Sequence, residues 1–110
     1  MIYSKFDVIA VDFPFIDKPA ITKVRPAVIV SSNDYNNKTG FVVIAMITSA
    51  KNSQLWNDIE ISNGKDLELT NASFIRMKFA NITKEVILHK MGELNKPNQD
   101  ELTSKLKAIF

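Results

Sequence analysis

The sequence predicts a mainly β domain with a C-terminal helix: a small half-open barrel of the SH3 type, built from five to seven short, mostly antiparallel strands. Three observations predict it. Short β-branched runs recur, led by Pro26–Val30 (PAVIV) and Phe41–Ile47 (FVVIAMI). Polar turn-forming stretches separate them. Near the C-terminus, Leu102, Leu106 and Ile109 recur at i, i+4 and i+7, the apolar stripe of a helix.

The elements follow in order. Phe6–Phe13 is a first strand, apolar except for Asp7 and Asp12. Pro14, Asp17, Pro19 and Thr22 mark a loop that carries Lys18 and Lys23. Pro26–Val30 and Phe41–Ile47 are the two clearest strands. Ser31–Gly40 between them is a loop with room for one helical turn. Ile59–Ile61 alternates with Asp58, Glu60 and Ser62, as a short edge strand does, and Asn63-Gly64 reads as a turn. Ser73–Phe79 is a further strand. Val86–Lys90 fits a strand or a helix start equally well. Pro97 is expected to end what precedes it, with Asn98 capping the last helix and Glu101 completing a capping box. Lys105 and Lys107 suit the helix dipole at its C-terminal end.

Composition narrows the function. The chain has 110 residues, 45% of them hydrophobic and 24% charged, which suits one folded domain over 1–110. It has no cysteine, so thiol nucleophiles, disulfides and cysteine zinc sites are excluded. His89 is the single histidine, which excludes a two-histidine metal site within one chain. The three glycines lie too far apart for a phosphate-cradling glycine loop. No cofactor is expected. A net charge of +2 permits an anionic partner without demanding one. The N-terminal segment is broken by Lys5, Asp7 and Asp12 and reads as neither signal peptide nor membrane span, so a cytoplasmic location is expected.

Pro26–Val30 and Phe41–Ile47 are apolar on both faces, whereas an antiparallel sheet normally alternates. One short helix covers only part of a sheet. A second copy of the chain is the simplest cover for the rest, and a two-fold homodimer is expected.

Few residues are candidates for chemistry. Only Arg25 and Arg76 are arginines among the 14 basic residues. Pro26 holds Arg25 extended at a strand start. Thr48 and Ser49 end the Phe41 strand. If these strands pair as antiparallel neighbours, Arg25 and Thr48 share one rim. Arg76 and Lys78 are two apart on a strand and point to one face, roughly 6–7 Å apart, a spacing that tracks a phosphate backbone. Asp12 and Asp17 are weak candidates for a cation, and Trp56 reads as a loop anchor. His89 reads as structural or exposed, and Met46, Met77 and Phe79 as core.

The strings FDVIAVDFPF, KVRPAVIVSS, VVIAMITSA, SFIRMK and ILHKMGEL together resemble the MazF/PemK family of toxins from about Phe6 to Leu94. The resemblance implies a MazF/CcdB-like barrel and a homodimeric toxin of a type II toxin–antitoxin pair. It implies a metal-independent, sequence-specific endoribonuclease (an mRNA interferase). Such an enzyme cuts single-stranded RNA to a cyclic phosphate and a 5′-hydroxyl, and a cognate antitoxin protein blocks it. Arg25 matches the family's catalytic arginine, Thr48 its catalytic hydroxyl residue, and Arg76 an arginine used in some members. With them, Lys23, Ser49 and Lys78 are expected to hold RNA.

Two departures stand out. Phe6-Asp7 replaces the Gly-Asp of many members, and Lys78 replaces an aspartate to which some members assign a base role. Two rival functions share the fold: a gyrase-binding toxin of the CcdB type, and a catalytically inactive binding module. Arg-Pro combined with Thr-Ser favours the nuclease, since a gyrase binder needs no phosphate site.

Overall fold

A computed structural model describes residues 2–14, 22–49 and 57–110. Among these residues six strands form one antiparallel sheet: β1 (Asp7–Pro14), β2 (Thr22–Ile29), β3 (Phe41–Ser49), β4 (Ile59–Glu60), β5 (Ser73–Thr83) and β6 (Ile87–Glu93). Their spatial order is β4-β5-β3-β2-β1-β6. Two helices are added, α1 (Asn33–Thr39) and α2 (Lys96–Ile109). No helix among the described residues is long and apolar enough to cross a membrane.

The strands extend the predicted runs. β2 begins at Thr22, so Arg25 lies inside the strand and not at its start, held there by pairing with Val11 of β1. β5 continues past Phe79 to Thr83. The undecided Val86–Lys90 region resolves into a 3-10 turn over Lys84–Val86 followed by β6. β4 is the expected short edge strand. The Asn63-Gly64 turn leads into a 3-10 turn over Gly64–Leu67. Asp17 and Trp56 lie outside the described residues.

Both faces of the central strands are buried within a single chain. Val8, Val28, Ala45, Ile47, Ile75 and Leu102 form one core cluster, under α2. Ile9, Val11, Ala27, Ile29, Val42, Ile44, Ile82 and Ile87 form a second on the other face. The chain covers this second face itself. Consecutive strands β5 and β6 lie at separate positions in the sheet, and the end of β5, the Lys84–Val86 turn and the start of β6 together make the crossing between them. Ile82, Val86 and Ile87 of this crossing pack into the second cluster. The doubly apolar strands are therefore explained without a second copy, and they do not by themselves require a dimer.

The sheet is half-open. Its edges β4 and β6 do not pair. The Gly64–Leu67 turn packs between them against Gly92 of β6. A Cβ at Gly92 would sit 2.8 Å from Leu67 Cδ2 and 3.1 Å from the Asp66 carbonyl oxygen, so only glycine admits this approach.

Helix α2 starts earlier than expected. Asn95 is its N-cap, accepting the Asn98 N–H, and Pro97 sits in the first turn. Proline suits that turn because its missing N–H would have had no helical partner. Asn98 is therefore not the cap. It is buried, accepts from the Ser62 N–H at 3.0 Å and donates to the Glu60 carbonyl at 2.9 Å. This amide ties α2 to β4 and fixes the edge strand. Leu102 is fully buried and Leu106 packs beside it, whereas Ile109 is exposed.

Helix α1 fills the predicted one-turn loop. Ser32 caps it by accepting the Tyr35 N–H, and Gly40 ends it in the left-handed conformation. The fully buried Asn36 bonds the Ser31 hydroxyl, which accepts the Val43 N–H, fastening α1 to β3.

Phe6 occupies the left-handed region, with φ of 75°. That explains why glycine suits this position. Phe6 keeps the conformation because its ring packs against the first core cluster and Lys5 lies over it. Asp7 closes the turn: its buried carboxylate accepts the Ser4 N–H at 2.8 Å and pairs with Lys90 at 3.3 Å. Phe6→Gly is expected to be more stable than Phe6→Ala by about 1 kcal/mol, because both lose the ring but only alanine keeps the strain. Urea unfolding of the two variants measures the difference; equal stability would show that the backbone relaxes at no cost.

Candidate functional site

The site grows from two lapses in sheet regularity on either side of Met46 in β3. The first lies between β2 and β3. Their ladder pairs Ile29 with Ile44, Val28 with Ala45 and Ala27 with Met46, and then stops. The next residue of β2 is Pro26, which has no N–H to give a ladder. Continuing the register two residues further places Arg25 opposite Thr48. Arg25 pairs on its other side with Val11, and Thr48 with Phe74. Ile87, Val11 and Arg25 thus form a row on one side of the lapse, and Thr48, Phe74 and Glu60 a row on the other.

The second lapse lies between β3 and β5. Ala45 pairs with Phe79, but Ile47 pairs with Ile75. Arg76, Met77 and Lys78 therefore bulge opposite Met46 alone. Alternation survives the bulge. Ile75, Met77 and Phe79 face the first cluster, which sends Phe74, Arg76 and Lys78 to the face that Thr48 shares. Bulges commonly re-aim side chains at functional sites.

Arg25, Thr48, Arg76 and Lys78 therefore share one face. Ser49 alternates to the opposite face and pairs with Ser73, so the two hydroxyls of Thr48-Ser49 diverge. Lys23 pairs through its backbone with Phe13 of β1. Met77 and Phe79 pack on the first cluster and Met46 on the second, as core residues do. His89 is exposed on β6, 3.6 Å from Glu68.

Asp58 joins this face unannounced. Its carboxylate accepts from Arg76 Nε at 3.3 Å and from Nη2 at 3.0 Å, a two-point fork. The Asp58 side chain is 1% exposed and that of Arg76 22%. The hydrogen bond to Asp58 holds the Arg76 guanidinium above the usual arginine range. The signal in the sequence was the alternation around Ile59. The register was missing: Ile59 opposite Ile75 puts Asp58 opposite Arg76.

Chemically, the face offers a guanidinium and a hydroxyl on neighbouring strands, beyond the end of their ladder. A second guanidinium, oriented by a carboxylate, and an exposed ammonium lie beside them. Such a set binds and polarises a phosphodiester.

Solved structures share the fold at low identity. An endoribonuclease in complex with its cognate antitoxin from a mycobacterial species superposes with a TM-score of 0.76 at 16% identity, covering 96% of this chain and 92% of that one. A MazE–MazF complex from Deinococcus radiodurans gives 0.74 at 16% identity, covering 99% and 96%. The Mycobacterium tuberculosis toxin MazF-mt6 gives 0.72 at 16% identity, covering 93% of each chain. No individual curated protein matches the sequence. The family model for PemK-like, MazF-like toxins of type II toxin–antitoxin systems matches residues 4–110, nearly the whole chain, and the protein belongs to that family.

Proposed function

We propose that the protein is a toxin that acts as a metal-independent, sequence-specific endoribonuclease on single-stranded RNA. The observation that carries this reading is the alternation that puts Arg25 and Thr48 on one face of neighbouring strands, just beyond the point where the β2–β3 ladder lapses. The family and the endoribonuclease neighbours support it.

The RNA 2′-oxygen attacks the adjacent phosphorus and gives up its proton. The bond from phosphorus to the 5′-oxygen breaks, and that oxygen takes a proton. A cyclic phosphate and a 5′-hydroxyl result. Arg25 donates to the phosphoryl oxygens as their negative charge grows, and Thr48 adds a hydroxyl donor to the same phosphate. Arg76 and Lys78 hold the backbone, and Lys23 of β2 adds a further positive charge to the proposed RNA-binding set. The Ser49 hydroxyl faces away from this set and is left out of it.

The test is purified protein with naked single-stranded RNA in the absence of ribosomes. Fragments ending in cyclic phosphate and 5′-hydroxyl support the reading. Intact RNA, with binding to gyrase instead, would replace it.

The cationic face also suits an acidic antitoxin segment, and two of the similar structures contain an antitoxin. A homodimer belongs to the same proposal and rests on the family resemblance. Sedimentation at micromolar concentration should give about twice the chain mass of 12.4 kDa; a monomer alone would remove the dimer.

A further inference from the structure

The Asp58–Arg76 pair is a charged contact on this face, and the chemistry above gives its carboxylate no task. Its setting is specific. Arg76 lies in the β5 bulge, where the pairing with β3 is interrupted. Asp58 immediately precedes β4, a strand of two residues. That strand is anchored from behind, because the Asn98 amide holds the Glu60 carbonyl and the Ser62 N–H. The carboxylate thus rests on a fixed support, and it grips a guanidinium from an irregular one. A bidentate fork fixes the plane of the guanidinium, which one ionic contact does not.

A merely structural pair would be an expensive way to secure a two-residue strand. Removing a carboxylate from water is costly, and apolar pairs of similar volume secure a strand without that cost. The fork instead defines where the second guanidinium of the cationic face points. It also partly offsets a positive charge that would otherwise bind RNA.

We propose that Asp58 is a positioning residue for RNA cleavage, fixing the Arg76 guanidinium on the face shared with Arg25 and Thr48. The inference rests on the endoribonuclease reading. Orientation and charge then separate in the kinetics. Losing the carboxylate misplaces the guanidinium and lowers kcat. It also leaves the face more positive, so RNA binds no more weakly.

The test measures kcat, KM and Tm for wild type, Asp58→Asn, Asp58→Glu, Arg76→Ala and the Asp58→Asn/Arg76→Ala double variant on one RNA oligonucleotide. Asp58→Asn should lower kcat roughly 10- to 100-fold, the range expected from displacing a group by about 1 Å. KM should not rise, and its dependence on salt should steepen. Asp58→Glu should recover part of kcat. The double variant should be no slower than Arg76→Ala, since Asp58 acts through Arg76.

Wild-type kcat in Asp58→Asn, or single effects that multiply, would overturn the inference. If Asp58→Asn does not fold, Asp58→Glu decides. Its kcat should fall several-fold at unchanged KM and Tm, and a wild-type kcat would overturn the proposal. A wild type that cuts no RNA removes the endoribonuclease reading and this inference together. A wild type that cuts RNA no faster than Asp58→Asn removes this inference alone.

Discussion

An RNA oligonucleotide carrying a single 2′-deoxynucleotide at the scissile position is expected to survive uncut, while the all-ribose control is cleaved in excess EDTA. With no cysteine and one histidine, the chain has no thiol nucleophile and no histidine pair. The 2′-hydroxyl is then the available nucleophile, and DNA does not carry it. Removing that oxygen removes the reaction and leaves phosphate binding intact, so the modified strand should compete with the control as an inhibitor. Gel analysis of both strands reads the outcome. Activity lost in EDTA and restored by magnesium would sink this mechanism. It would also return Asp12 and Asp17 to consideration. Asp12 is half-buried on β1 opposite Val24, and Asp17 lies outside the described residues.

Arg25→Ala is expected to lower the cleavage rate at least roughly 100-fold, as losing one oxyanion donor typically does. Attack of the 2′-oxygen builds charge on the non-bridging oxygens. A guanidinium keeps its proton at neutral pH, so it stabilises that charge as a two-point donor and makes a poor base. The loss should appear mainly in kcat, because Lys78 and Arg76 still hold the backbone. Thr48→Ala should cost less, since a neutral hydroxyl donor is weaker than a charged one. Single-turnover rates at saturating protein isolate the chemical step. A fall of less than ten-fold for Arg25→Ala would move the charge stabilisation elsewhere on the face.

Much of this was legible from local patterns. β-branched runs bounded by turns located β1, β2, β3 and β5, because strand preference and burial act over a few neighbouring residues. The 3.6-residue stripe placed α2 for the same reason. Chain order predicts that Arg25 and Thr48 share one rim, since consecutive antiparallel strands bring the start of one beside the end of the next, and the β2–β3 ladder ends at Ala27 and Met46, short of that pair. The N-cap of α2 was less legible. Asn95 and Asn98 are the same residue type three apart, and Asn98 is drawn off to bond Glu60 and Ser62 from elsewhere in the chain.

The sequence by itself determined most of the strands and the terminal helix, and it predicted a shared rim for one arginine and one threonine. These depend on side-chain period and on hairpin order, both carried by neighbours in the chain. Tertiary structure alone decided that the second apolar face is covered by the chain's own Lys84–Val86 crossing. It also decided that Asp58 grips Arg76, across 18 residues of sequence. Both depend on sheet order and on the register of a two-residue edge strand, and no local preference specifies either.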